Sequence, residues 1–173
     1  MKFLPVHSFE NPSAQKIYRA YTTTFPADER RNDEQFKALF EHPNAFVNSI
    51  LWREAEVGYL VLWKLSESIF VEHFEVFEEF RNQKLGSVVV KTLIEEHSNI
   101  ILESEPSYLS EIAERRIGFY QKNSLSIINE SYIQPSYEEG KNPLELFLMA
   151  SWLPKDVQAV EQEIHRTVYG VEG

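Results

Sequence analysis

The first third of the chain combines a short apolar run with two helical patterns. Residues 3–6 are mostly apolar and predict a strand. A first helix is predicted between Pro12 and Pro26, where apolar side chains recur at helical spacing at Ile17, Tyr18, Tyr21 and Phe25. A second, shorter helix is predicted over residues 33–41, with Asn32 as its N-cap.

The middle of the chain changes from helical spacing to runs of β-branched and aromatic residues. These runs predict three strands, over residues 45–52, 57–65 and 69–77. The connections between them, residues 53–56 and 66–68, are short and polar. Links of this length join antiparallel neighbours, so the three strands are predicted to form two consecutive hairpins.

The second half returns to alternating helices and strands. Helices are predicted over residues 85–97 and 112–120, and strands over residues 99–102, 126–134 and 144–151. A last amphipathic helix follows Pro154, a residue suited to a first helical turn, and its apolar side is formed by Val157, Val160, Ile164 and Val168.

The predicted order of elements is β-α-α-β-β-β-α-β-α-β-β-α. The helix between the strands at 69–77 and 99–102 acts as a crossover, so we predict that these two strands are parallel. Their neighbours are antiparallel, which gives a mixed α/β sheet with helices on both faces. No linker interrupts the pattern, so residues 1–173 are predicted to form one domain, with 154–169 as an added C-terminal helix.

Composition narrows the possible chemistry. The 173 residues include no cysteine, which excludes disulfides, thiolate metal sites and thiol nucleophiles, and the five histidines form no metal-binding motif. The net charge of −10 disfavours a nucleic-acid partner. We therefore expect no metal. We expect no membrane span, because the apolar runs are too short to cross a bilayer. We expect a cytoplasmic location, because the first residues are unlike a signal peptide.

The segment most informative about chemistry is residues 74–87, where a strand ends and a helix begins at Leu85 and Gly86. Backbone N–H groups of the first helical turn have no partner inside the helix, so they form an anion site suited to a pyrophosphate. Arg81 and Lys84 add positive charge at this turn of an acidic chain. The alternative is an ordinary strand–helix turn that carries two solvated bases.

At this turn the sequence resembles the GNAT N-acetyltransferase superfamily, whose acetyl-CoA motif is Q/R-x-x-G-x-G/A. Arg81 and Gly86 match the motif, and Lys84 stands at its first glycine, where it supplies charge in place of close backbone approach. The resemblance implies the GNAT fold and acetyl-CoA as cosubstrate. It implies that the cosubstrate binds along Val76, Phe77, Arg81, Asn82, Gln83, Lys84, Leu85, Gly86 and Ser87.

A second segment, residues 115–125, resembles the family's "FYEKLGF" region. Phe119 and Tyr120 match it, whereas Ser124 replaces a glycine and Ala113 replaces an asparagine that often contacts the cofactor. The resemblance implies that Tyr120 is the general acid beside the CoA sulfur. It also implies that a backbone N–H near Val76 is the oxyanion donor.

Glu72 is the candidate general base, because it lies on the fourth strand where several family members carry a carboxylate. Glu75, His73, Glu103 and a water chain are the alternatives. Side chains alternate along a strand, so Glu72 and His73 face one pocket only if the strand carries a bulge, as it does in this family.

The function that this resemblance implies is transfer of an acetyl group from acetyl-CoA to a primary amine. The alternative is a GNAT-like domain that holds acyl-CoA without turnover. Residues 22–31 and 134–142 are the candidate walls of the acceptor pocket. The identity of the amine and the oligomeric state stay open at this point.

Overall fold

A computed structural model describes residues 1–171, which contain seven strands and five helices. The strands are β1 Lys2–Pro5, β2 Ala45–Trp52, β3 Ala55–Lys64, β4 Ile69–Val76, β5 Ile100–Ser104, β6 Ser126–Gln134 and β7 Leu144–Ala150. The helices are α1 Pro12–Thr24, α2 Asp33–Ala38, α3 Leu85–His97, α4 Glu111–Lys122 and α5 Val157–Val168. This order confirms the predicted α/β arrangement.

All seven strands form one mixed sheet in the order β1-β2-β3-β4-β5-β7-β6. Neighbours are antiparallel except β4 and β5, whose parallel pairing confirms the predicted crossover. This pairing extends over three register pairs and ends where Val71 lies opposite Leu102. Beyond that point the two strands are no longer paired, which leaves the carboxyl half of β4 without a partner on its β5 side.

Strand β4 carries a β-bulge. Its register against β3 shifts between Val61 and Leu62, so that Glu72 is the extra residue on the bulged strand. A bulge reverses the alternation of side chains beyond it. His73 therefore lies on the same sheet face as Glu72, where its ring packs edge-on against Tyr21 with centroids 4.8 Å apart.

Each face of the sheet is covered by its own hydrophobic cluster. On one face α1, α2 and α5 bury side chains such as Ile17, Phe36 and Ile164. On the other, α3 and α4 bury side chains such as Val89 and Ile117. The C-terminal helix α5 is thus part of the sheet's cover, and α3 and α4 form the layer on the opposite side.

The helix starts follow ordinary capping rules with one exception. Asn32 forms a capping box with Gln35 at α2, and the side chains of Ser110 and Asp156 accept a backbone hydrogen bond at α4 and α5. Helix α3 has no side-chain cap, because its N-cap is Lys84 in a left-handed conformation. Across residues 1–171, no helix has the length and apolar character needed to cross a bilayer.

Candidate active site

A cavity of about 590 Å³ opens where β4 and β5 separate. Its walls are the carboxyl half of β4, the start of α3 and one side of α4. Nine of the eleven residues predicted as catalytic or cofactor-binding line it: Glu72, Val76, Arg81, Asn82, Lys84, Leu85, Gly86, Ser87 and Tyr120. The alternative bases His73, Glu75 and Glu103 line it as well. Residues almost 50 positions apart in the chain therefore meet at one opening.

Two of the predicted cofactor-binding residues lie outside this lining. The side chain of Phe77 is 4% exposed and packs into the core on the opposite sheet face, with Lys16 Nζ 4.3 Å from its ring centroid. Alternation along the strand gives the cavity side to its neighbour Val76. Gln83 is exposed on the turn and does not contribute to the cavity wall.

The turn before α3 has an unusual backbone. Asn82 and Lys84 are left-handed, with φ of 62° and 60°. Lys84 therefore keeps the conformation that a glycine adopts freely, and adds an exposed ammonium group. A methyl group on Gly86 would lie 3.2 Å from Cζ of Phe119, so the aromatic ring already fills the space beside that glycine. The result is a helix start with free N–H groups and a cation beside them.

Arg81 links this turn to the end of β4. Its Nε donates to the carbonyl oxygen of Val76 at 3.1 Å, and its Nη2 donates to Oε1 of Glu75 at 3.1 Å. The same carboxylate oxygen accepts a hydrogen bond from Thr24 Oγ1 at 2.7 Å. Glu75 is thus already occupied by two donors, although its Oε2 is buried without a partner among the described residues.

Tyr120 lies on the α4 side of the cavity. Its ring packs edge-on against Phe119 with centroids 5.2 Å apart. Burial raises the pKa of its hydroxyl above 10.0, although nearby Arg116 partly opposes this shift. The hydroxyl therefore keeps its proton near neutral pH and is able to donate it.

The side chain of Glu72 is completely buried. Its carboxylate accepts hydrogen bonds from Arg31 Nε at 2.8 Å and from Trp63 Nε1 at 2.6 Å. Burial alone raises its pKa, but the charge of Arg31 and these hydrogen bonds outweigh burial, so the net shift lowers the pKa below 4.5. Glu72 is an ionised carboxylate that already has its partners.

Arg31 lies outside the lining of both cavities but holds Glu72, a role that the sequence analysis did not assign to it. Its Nη2 donates to the carbonyl oxygen of Val168 at the end of α5, at 2.8 Å. Its guanidinium lies 5.1 Å from the ring centroids of both Trp63 and Tyr137. No spacing rule connects residue 31 with residue 72, so the only signal in the sequence was its place in the 22–31 segment.

The pKa of Glu103 is shifted upward, whereas that of Glu72 is shifted downward. It accepts hydrogen bonds from the hydroxyls of Tyr132, at 2.5 Å, and Tyr169, at 2.7 Å. Burial raises its pKa to about 7, against the smaller effect of these hydrogen bonds. Glu103 is thus balanced between its acid and base forms at neutral pH, and it lines the same cavity.

His73 lies among aromatic rings beside Glu72. Its ring is 4.6 Å from that of Phe25, and its Nε2 is 3.4 Å from the hydroxyl of Tyr137. Burial lowers its pKa to about 4, although the neighbouring Glu72 opposes this. The imidazole is therefore neutral at physiological pH.

A second cavity of about 160 Å³ adjoins the first. The two share five lining residues: Phe25, Glu72, His73, Glu103 and Arg116. Beyond that junction the smaller cavity reaches Glu29 and Gln134, which belong to the two segments predicted as acceptor walls. Most of the remaining lining comes from residues 104–109, at and after the end of β5, and from the start of β7.

Similarity to known proteins was found at the level of family and fold. Residues 13–123 match the model of the Acetyltransferase (GNAT) family. A candidate GNAT-family acetyltransferase from Bacteroides thetaiotaomicron is 29% identical, with a TM-score of 0.93 over 99% of this chain and 100% of that one. No curated protein sequence matches this chain.

Two further solved structures share the fold at lower identity. A GNAT family acetyltransferase from Elizabethkingia anophelis with acetyl-CoA bound is 16% identical, with a TM-score of 0.59 over 88% of this chain and 97% of that one. An aminoglycoside 6'-N-acetyltransferase complexed with coenzyme A is also 16% identical, with a TM-score of 0.59 over 90% and 100%.

Proposed function

Because this chain belongs to the GNAT family of acetyltransferases, we propose that it moves the acetyl group of acetyl-CoA directly to a primary amine. The observation that carries this proposal is the opening between β4 and β5, with the uncapped start of α3 at its end. An opening of this kind admits the pantetheine arm. The acetyl-CoA bound to a protein of the same fold supports this assignment.

The turn before α3 is the proposed site of the pyrophosphate. The free N–H groups of Leu85, Gly86 and Ser87 favour an anion, and Lys84 supplies a charge beside them. Arg81 is half exposed, so it is free to turn from Glu75 toward a bound phosphate. These contacts support Arg81 and residues 82–87 as the cofactor-binding segment.

The chemical step needs a donor for the developing oxyanion. Phe77 N–H donates to the carbonyl oxygen of Val57 at 2.9 Å, so it faces β3. Backbone groups alternate along a strand, and the N–H of Val76 therefore faces the opening. We assign this N–H to the oxyanion, which forms when the amine nitrogen attacks the thioester carbon.

Collapse of that intermediate breaks the carbon–sulfur bond and releases a thiolate. Tyr120, which keeps its proton near neutral pH, is the proposed acid that protonates the sulfur. The products are an N-acetylated amine and free CoA. No group on the protein becomes acetylated, in keeping with a chain that has no cysteine.

The proton removed from the incoming ammonium needs a base. Glu72 is the candidate from the sequence, but its lowered pKa and its contacts with Arg31 and Trp63 favour a role in holding Arg31. Glu103 has a pKa of about 7 and lies where the two cavities meet. These properties favour Glu103 as the base, with Glu72 as the alternative.

The test is release of the CoA thiol across a panel of amines, with the wild type and Tyr120→Phe. We expect turnover to fall by about 10²-fold in the variant, the usual scale for general acid catalysis. Affinity for CoA, measured by calorimetry, serves as the control and is expected to change little. An unchanged rate rejects Tyr120 as the acid. Binding of CoA with no amine-dependent release supports the alternative of a non-catalytic acyl-CoA-binding domain.

A further inference from the structure

The walls of the second cavity are strongly acidic. Five carboxylates line it, from Glu29, Glu72, Glu103, Glu105 and Glu145, against one guanidinium, that of Arg116. The neighbouring His73 is neutral, because burial lowers its pKa to about 4. A ligand in this cavity meets an excess of negative charge.

Only part of that charge is balanced by the protein. Glu105 is paired with Arg116 at 3.0 Å, and Glu72 with Arg31 at 2.8 Å. Glu29 and Glu145 form no ion pair within residues 1–171, and Glu103 is bonded only to hydroxyls. Burial and then the charge of Glu105 raise the pKa of Glu29, and the charge of Arg116, which is already paired with Glu105, only partly opposes this shift.

A second observation is independent of charge. Ser104 lines the same cavity, is 3% exposed, and its hydroxyl has no hydrogen-bond partner among the described residues. A buried hydroxyl without a partner is uncommon and costly. An N–H donor on a ligand would supply the missing partner.

The position and size of the cavity limit what that ligand is. It joins the acetyl-CoA opening at Glu72, His73 and Glu103, so a bound molecule extends from the reacting centre toward Glu29. A volume of about 160 Å³ admits a short aliphatic chain and excludes a folded protein surface. A monoamine would leave Glu29, which is half-buried, and Glu145, which lies at the exposed end, without a cation.

Resting on the proposed acetyl transfer, we propose that the acceptor is a small aliphatic diamine or polyamine. One amine reacts at the junction of the two cavities, and a second ammonium group lies between Glu29 and Glu145 in the smaller one. The step is the one already described: a carbon–nitrogen bond forms, the carbon–sulfur bond breaks, and the second ammonium group stays unchanged.

Matched pairs of acceptors test this inference. Initial rates are measured with acetyl-CoA and either 1,4-diaminobutane or 4-amino-1-butanol, which differ only in the distant group. Pairs one carbon shorter and one carbon longer are also measured, in case a four-carbon chain does not match the distance from the reacting centre to the far carboxylates. We expect kcat/KM to favour the diamine at least about tenfold for one pair, the effect of one charge-assisted hydrogen bond.

Variants of the far carboxylates test the location. Glu29→Gln and Glu145→Gln are expected to raise KM for the diamine and to reduce its preference over the amino alcohol. Glu130→Gln is the matched control, because Glu130 is exposed on β6 and lies outside both cavities. Thermal unfolding of each variant checks that the fold is kept.

The outcomes separate this inference from the proposed function. Equal values of kcat/KM for the diamine and the amino alcohol would show that no second ammonium group is recognised, although acetyl transfer to an amine would still hold. Acetylation of lysine in peptides, but of no small amine, overturns the small acceptor. Binding of CoA without acetylation of any amine overturns the proposed function and this inference with it.

Discussion

Lys84 occupies the position that the family motif gives to glycine, and it keeps a glycine-like backbone with φ of 60°. A side chain in this conformation lowers the stability of the folded chain by about 1 kcal/mol. The ammonium group that the side chain carries favours binding of an anion. Compared with a glycine at this position, Lys84 therefore lowers stability and raises affinity for an anion. The sequence showed the substitution, but not that the left-handed turn was retained.

We predict that Lys84→Gly stabilises the protein by up to about 1 kcal/mol and weakens CoA binding at low salt. Lys84→Ala is the matched control, since it removes the charge but keeps the backbone strain. Thermal unfolding measures the first effect, and calorimetry at low and high salt measures the second. Wild-type affinity in both variants at low salt would show that Lys84 does not contact the pyrophosphate.

At Glu103 the raised pKa predicts a dependence of stability on pH. Burial raises the pKa from 4.5 to about 7, so the folded protein holds a proton that the unfolded chain releases. The contribution of this group is complete below 4.5 and is lost as the pH rises through about 7. Glu103→Gln, which stays neutral, is expected to lose less stability between about pH 5 and 8 than the wild type.

Thermal unfolding across that pH interval measures the difference, with Glu130→Gln as the control for loss of a carboxylate at the surface. Curves of the same shape for the wild type and Glu103→Gln would mean that Glu103 is ionised throughout the interval. That result would also remove the reason for preferring Glu103 to Glu72 as the base.

At the scale of elements, the strands were predictable because turn residues and β-branched runs fix their limits. The predicted limits of the strands at 45–52 and 126–134 agree with the structure. Helix α2 ends at Ala38 rather than Glu41, because the last three residues form i→i−3 hydrogen bonds. In α3, helical spacing by itself predicts Val88 on the apolar face, but the structure buries Val90 there instead, a rotation that depends on tertiary packing.

The bulge in β4 was expected only through the family resemblance. Nothing in residues 69–77 by themselves distinguishes a bulged strand from a regular one. The bulge decides which side chains share the site, since it places Glu72 and His73 on the same face. A shift of one residue in register changes every side chain that follows, which is why patterns of composition could not supply this part of the site.

Gly58 holds β3 and β4 close together at the edge of the site. A methyl group there would lie 2.1 Å from the carbonyl oxygen of Glu75. We predict that Gly58→Ala destabilises the protein by at least about 2 kcal/mol and weakens CoA binding, because the end of β4 must move. Chemical denaturation and calorimetry measure the two effects.

Gly118→Ala is the contrasting variant for that experiment. Gly118 lies in α4, and apart from its chain neighbours and the nearby helix backbone nothing lies within 4 Å of an added methyl group, so a stabilisation of about 0.5–1 kcal/mol is expected. Equal and small effects at Gly58 and Gly118 would show that the close approach of β3 and β4 is not required.

At the scale of the whole molecule, α5 completes the polar network from the far end of the chain. Its last carbonyl, at Val168, accepts from Arg31, and Tyr169 donates to Glu103. These contacts span 137 and 66 positions. Local sequence carries no signal over such distances, so the helix was predictable while its part in the site was not. Of the chain's 27 acidic residues, five line the smaller cavity, and no local pattern in the sequence brings these five together.

The unpaired edge of β4 has a consequence for amide hydrogen exchange. Backbone N–H groups that face β3 are protected by the sheet, whereas those of Phe74 and Val76 face the opening. In the free protein we expect these two amides to exchange with solvent faster than their neighbours Glu75 and Phe77. Bound acetyl-CoA would occupy the place of the missing strand and slow them. Residue-resolved exchange with and without the cosubstrate measures this alternation, and uniform protection along β4 in the free protein would contradict it.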